Sequence, residues 1–130
     1  MLNKKLILGI GISGMSCIEF FNKNNITYKV FDTRDKNYFN DYNFQNTSIK
    51  SFYFGEYPDN LLDDIDEVII SPGLNKNHKI FSDIESNEIN IITDIDIFKR
   101  YCKSKIISIT GTNGKTTVVT MLEHALKAIG

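Results

Sequence analysis

The run KLILGIGISGMSCIEFF, residues 5–21, joins an unbroken apolar stretch to a glycine-rich turn and then to residues at helical spacing. A strand that is apolar at every position must be covered on both faces, and such strands belong to parallel sheets. A turn leading straight from that strand into a helix is the repeating unit of such a sheet. The pattern returns near residue 130, where KIISIT, residues 105–110, runs through GTNGKTT into a last amphipathic stretch. Between the two, TYKVFD (27–32), SFYF (51–54), EVIISPG (67–73) and INIIT (89–93) read as further strands. Helices are expected over Ser13 to Asn24, His78 to Ser86, 94–101 with Thr93 or Asp94 as cap, and Lys115 to Ile129. In the last of these Val118, Leu122, Ala125 and Ile129 share a face, and Gly130 stops the helix. Residues 35–50 read as a loop with weak structure, YPDNLLDDI as a short helix opened by Pro58, and DDIDE (63–67) as a solvated face. The expected class is α/β, a Rossmann-like parallel sheet with right-handed crossovers.

Composition excludes several functions. Fifteen Lys and Arg face sixteen Asp and Glu, a net charge of −1, so no basic field exists to hold nucleic acid. The apolar start of the chain is too short to span a bilayer and has no small-residue cleavage site. Cys17 and Cys102 show neither metal spacing nor a disulfide pattern, which fits a reducing cytoplasm, and a monomer with no membrane or nucleic-acid partner is expected.

The two glycine-rich turns carry the chemistry. In the first, Gly9, Gly11 and Gly14 complete G-x-G-x-x-G between a strand and a helix, where backbone must approach a pyrophosphate at the helix N-terminus. Asp32 closes the second strand, 18 residues past Gly14, at the place of an acid that bonds ribose hydroxyls in dinucleotide sites. The glycines could also serve helix-strand packing alone. The second turn, Gly111, Thr112, Asn113, Gly114, Lys115, Thr116 and Thr117, is a shortened phosphate loop, because Ile109 stands where the strict pattern has glycine. Its backbone can form an anion nest, Lys115 can reach terminal phosphates, and Thr116 can place its hydroxyl on magnesium. His78 and His124 find no partner in the sequence and are read as ordinary surface or helix residues.

Both turns, with VFDTR, VIISPG, ITDIDIF and ITGTNGKTT in that order, resemble the amino-terminal part of the Mur ligases, nearest to the branch that adds D-glutamate to UDP-N-acetylmuramoyl-L-alanine. The resemblance implies a first domain over 1–93 that holds UDP, then a linker helix and the opening strand, loop and helix of an ATP-binding domain over 94–130. It implies ATP and magnesium as cosubstrate and cofactor, and an acyl phosphate attacked by an amine. By the same resemblance Ile12 and Ser13 meet the diphosphate through their N–H groups, Asp32 accepts from the uracil N3–H beside Thr33 and Arg34, and Ser71 and Gly73 line the same crevice. Lys115 and Thr116 serve phosphoryl transfer. The family's further ligands and closing domain would lie past Gly130, so a fragment inactive by itself is expected. Two other readings compete: a dinucleotide-binding oxidoreductase or sensor, resting on the first turn and Asp32, and a small phosphate-loop kinase or GTPase, resting on residues 109–117. The related folylpolyglutamate synthetases share the second loop's form.

Overall fold

A computed structural model describes residues 4–39 and 52–129. Five strands, β1 (Lys5–Leu8), β2 (Tyr28–Asp32), β3 (Phe52–Phe54), β4 (Glu67–Ile70) and β5 (Asn90–Thr93), form one sheet in the order β3-β2-β1-β4-β5, every pair parallel. Four helices accompany it: α1 (Ile12–Lys23), α2 (Lys79–Ser86), α3 (Asp94–Tyr101) and α4 (Lys115–Ile129), with 3-10 turns at Lys36–Phe39 and Asp59–Leu61. Residues 40–50 of the expected loop and Ser51 of SFYF lie outside the described residues.

The sheet has two cores because side chains alternate along each strand. Ile7, Val30, Ile69 and Ile92 are register partners across four strands, and all four point into the layer filled by Cys17, Ile18 and Phe21 of α1 and Ile97 of α3. Leu6, Leu8, Phe31 and Val68 point the other way, against Leu61, Leu62 and Ile65 and against Ile80 and Ile84 of α2. Unbroken apolar strands are required here, since each residue is covered whichever way it points. Burying each such side chain contributes about 1.5–3 kcal/mol.

At the amino edge of the sheet, Lys5, Glu67 and Asn90 are register partners on β1, β4 and β5. The Glu67 carboxylate accepts from Lys5 Nζ at 2.7 Å and from Nη1 and Nη2 of Arg100 in α3 at 2.7 Å each. The solvated face expected over 63–67 holds at Asp63 and Asp66, which are exposed, and fails at Ile65 and Glu67, which are buried; Asp64, half-buried, pairs with Lys4 and Lys29. A capping box fixes the start of α3: the Thr93 hydroxyl accepts from the Asp96 N–H at 3.4 Å, and the Asp96 carboxylate accepts from the Thr93 N–H at 2.9 Å. α3, expected as a linker, is thus packed on α1 and clamped to β4.

A second expectation fails at residues 105–110. No strand forms there; these residues are exposed except half-buried Ile109. The sheet ends at β5 on that side, and an extended segment without a neighbouring strand has nothing to pair its backbone with. α4 forms at the expected position, but none of its residues is buried; Val118 stands 49% and Ile129 81% exposed.

Candidate functional site

Open parallel sheets place ligands beyond the carboxyl ends of their strands, where the order reverses. In the order β3-β2-β1-β4-β5 that reversal falls between β1 and β4. A crevice of about 330 Å³ lies there, lined by Gly9, Gly11, Thr33, Arg34 and the turn Ser71, Pro72, Gly73, Leu74 and Asn75. A second hollow of about 350 Å³ flanks the far side of that turn, with Thr93, Lys76 and Phe81 on its walls. Sequence reasoning reached Ser71 and Gly73 but stopped short of Leu74 and Asn75. The same strand-end turn carries them, and that was the available signal.

The three glycines of the first turn divide between packing and access. A Cβ on Gly14 would sit 2.0 Å from the Gly9 carbonyl oxygen, so this position permits no side chain where α1 crosses β1. A Cβ on Gly11 would meet nothing within 4 Å. Gly11 therefore keeps open space in front of the turn, as a site for an approaching ligand requires. It is also the N-cap of α1, and no side chain caps the helix there. The first N–H groups of a helix have no intrahelical partner and carry the positive end of its dipole. Ile12 and Ser13 supply two of them; Ile12 is 92% exposed and Ser13 half-buried.

Asp32 is completely buried. Its Oδ2 accepts from the Ile10 N–H at 2.7 Å and Arg34 Nη2 at 2.8 Å, and its Oδ1 accepts from the Arg34 N–H and Nε, each at 2.9 Å. Burial works to raise the pKa of this carboxyl; the Arg34 side chain and the two backbone donors more than offset it and hold it below the ordinary value. Arg34 Nη2 also donates to the Ile10 carbonyl at 3.1 Å, and the guanidinium lies over the Tyr38 and Phe39 rings at 4.3 and 4.7 Å. The end of β2 is thereby tied to the first turn. Ser71 is turned inward as well: its hydroxyl donates to the Gly9 carbonyl at 3.0 Å and holds the two strand-end turns together. Thr33, Arg34 and Gly73 remain on the crevice wall.

The second turn is built differently. Gly111 to Thr117 are all exposed, and Lys115 Nζ folds back onto the carbonyls of Gly111 at 2.6 Å and Thr112 at 3.5 Å. Asn113 and Gly114 precede α4, with φ +74° at Gly114, and Thr116 lies in its first turn. His124 contacts the Thr120 carbonyl at 2.8 Å, and His78 caps α2 by accepting from the Ile80 N–H at 3.2 Å, so both are structural. Among the described residues no three His, Cys, Asp or Glu side chains gather as a metal site, and no helix is long and apolar enough to cross a membrane.

Residues 3–93 match the family model described as Mur ligase MurD-like, N-terminal domain. The chain belongs to this family. It is similar to proteins named UDP-N-acetylmuramoylalanine--D-glutamate ligase: 42% identical over 127 residues to that of Buchnera aphidicola subsp. Schizaphis graminum. It is 34% identical over 127 residues to that of Yersinia pestis bv. Antiqua and 34% over 131 residues to that of Caldicellulosiruptor saccharolyticus. These alignments cover 97–98% of this chain and 28% of each relative, so the chain spans little more than a quarter of the length of the curated relatives it matches. The Mur-type match ends where α3 begins and contains the whole crevice, while the second turn lies outside it.

An apolar hollow of about 370 Å³ lies between α1 and α3, lined by Cys17, Phe20, Ile97, Phe98, Tyr101 and Cys102 among others. Burial, with the Asp94 charge, pushes the Cys17 thiol up to about 11, so it remains a neutral core filler.

Proposed function

We propose that the crevice at the first turn binds the uridine diphosphate part of UDP-N-acetylmuramoyl-L-alanine, in an ATP-dependent ligase of peptidoglycan synthesis that joins D-glutamate to that substrate through an acyl phosphate. The observation that carries this reading is the crevice itself. An uncapped helix N-terminus, a glycine with open space before it, and a fixed arginine converge at the reversal point of a sheet whose residues 3–93 match the Mur ligase N-terminal domain. The names of the relatives supply the substrate and the amino acid.

In this reading the N–H groups of Ile12 and Ser13 receive the diphosphate, and Gly11 lets it come close. Thr33 and Arg34 face the uracil ring, whose two carbonyls accept and whose N3–H donates. Asp32, whose four lone-pair directions are taken, acts through Arg34 and the Ile10 N–H, and reaches the N3–H once Arg34 gives up one of its bonds. Ser71 and Gly73 shape the far wall.

The second turn is proposed to hold ATP phosphates through Gly111, Thr112, Asn113, Gly114, Lys115, Thr116 and Thr117. Its donor set fits a phosphate: an exposed lysine, three threonine hydroxyls and the N-terminus of a 15-residue helix. Thr116 is the hydroxyl this chain offers to magnesium, which neutralises charge on a transferred phosphoryl group when bound with ATP. Lys115 would steady the same charge. Phosphoryl transfer depends on positioning, and residues 105–117 have no sheet behind them here. The 130-residue chain is accordingly expected to bind the UDP-linked substrate as a monomer and to form no acyl phosphate. The test is phosphate release from ATP with UDP-N-acetylmuramoyl-L-alanine and D-glutamate. None is expected from this chain. Release from a longer protein carrying these residues, lost on Lys115→Ala, supports the reading; release by the 130-residue chain, also lost on Lys115→Ala, contradicts it.

A further inference from the structure

The hollow between α1 and α3 combines aromatic walls with a carboxylate that has no cation of its own. Its volume of about 370 Å³ falls within the range of sites for small organic ligands, about 300–1,000 Å³. Buried Cys17 and Ile97 form the floor. Half-buried Phe20 and exposed Phe98 and Tyr101 stand around it, and the Tyr101 ring meets Phe20 edge-on, 4.9 Å between centroids. Asp94, the first residue of α3, lines the same space. We propose that this hollow binds a small organic cation, an aromatic ammonium whose ring lies among the aromatic side chains and whose charged head pairs with Asp94.

The charge of the occupant follows from what the wall lacks. Asp32, Asp64, Glu67 and Asp83, all at least half-buried, each face a lysine or arginine. Asp94 is half-buried as well, yet no cation pairs with it among the described residues. Its Oδ1 accepts from the Ile95 N–H at 2.9 Å, and its second oxygen is left to a ligand. Ser16, also on the wall, spends its hydroxyl proton on the Ile12 carbonyl at 3.0 Å and has only lone pairs to offer. The Asp94 charge is felt at the floor too, where it adds to burial in keeping the Cys17 thiol protonated. An ammonium is matched by this set, and by the faces of the aromatic rings. A carboxylate of the same shape is repelled by it, and a neutral molecule gains only the apolar contact.

This site is independent of the nucleotide crevice. Titration of phenethylamine, phenethyl alcohol and phenylacetate into isotope-labelled 130-residue protein at neutral pH, followed by backbone amide and aromatic resonances, tests it. The amine should bind with a dissociation constant of about 1 mM, as suits a ligand of roughly nine heavy atoms. It should shift Ser16, Phe20, Asp94, Phe98 and Tyr101 and leave Thr33, Arg34 and Gly73 in place. The alcohol should bind about tenfold more weakly, the loss of one charge-assisted contact, and phenylacetate more weakly still. Asp94→Asn keeps the Thr93 cap of α3 and should erase the preference for amine over alcohol. Phe98→Ala should weaken both ligands and preserve the preference. Equal binding of amine and alcohol by the native chain, or shifts confined to other residues, overturns the proposal. So does the absence of shifts at about 10 mM amine. Shifts at Phe98 and Tyr101 that grow with protein concentration in the absence of ligand would give the hollow to a second copy, and α4 resonances displaced by Phe98→Ala would give it to α4; each result contradicts the assignment.

Discussion

The two glycine-rich turns are alike in sequence logic and opposite in structure. Each is written as an apolar run, a glycine turn and a helix. The first is enclosed by β1, β4 and α1: a Cβ on Gly14 would lie 2.0 Å from the Gly9 carbonyl oxygen, and that carbonyl accepts from the Ser71 hydroxyl. The second is exposed throughout, and its lysine bonds only its own loop carbonyls. A phosphate loop is local in sequence, but the sheet behind it makes its shape. Where the strand has neighbours the turn is fixed; where it has none, the same signals yield a helix and a loop.

Amide hydrogen exchange should show the largest contrast. Protection in β1 and β4 should approach the global stability, about 5–15 kcal/mol, while 105–129 should lie within about 1 kcal/mol of unprotected chain, since a lone 15-residue helix is marginal in water. Equal protection in the two regions would break the comparison. Glycine substitutions come next. Gly14→Ala should cost about 3 kcal/mol or more in thermal or urea unfolding, because the added Cβ meets a backbone carbonyl that cannot turn aside as a side chain could. Gly114→Ala, with open space but φ +74°, should strain its own turn by roughly 1–2 kcal/mol and leave the main transition where it was.

Acid unfolding probes the clamp that makes α3 part of the packed region. The Arg100 fork, opposed by burial and aided by Lys5, holds the Glu67 carboxyl at about 2 against an ordinary 4.5. A depressed carboxyl stabilises the fold above its unfolded value and loses that contribution as pH falls. Glu67 should therefore supply about 3 kcal/mol that is present above pH 4.5 and gone near pH 2, and Glu67→Gln should flatten the stability profile in that window. Thr93→Ala should have the smallest effect, about 1 kcal/mol, by removing the cap of α3.

Most of the packed region was legible in the sequence because its signals are local. Apolar runs marked β1, β2 and β4, helical spacing marked α1, and Thr93 with the acids after it marked α3. Strand order was not legible, since nothing in KLIL names its neighbours. The strand expected at 105–110 failed for the same reason: an apolar run reports a wish for burial and does not supply the cover. At the site, the glycines and Asp32 were found from motif spacing, and Arg34 through the family resemblance. The inward turn of Asp32 and Ser71 was not, because a motif names a residue without showing which of its partners claims it. Glu67 was misread with its acidic neighbours; its partners, Lys5 and Arg100, lie 62 and 33 residues away.

The first turn, and not the second, is the proposed uridine nucleotide site. Titrating UDP into isotope-labelled 130-residue protein and following backbone amide resonances tests it directly. Shifts are expected at Gly11 to Gly14, Thr33, Arg34 and Ser71 to Asn75, with 111–117 unmoved. Shifts confined to 111–117, or none at saturating UDP, would contradict it.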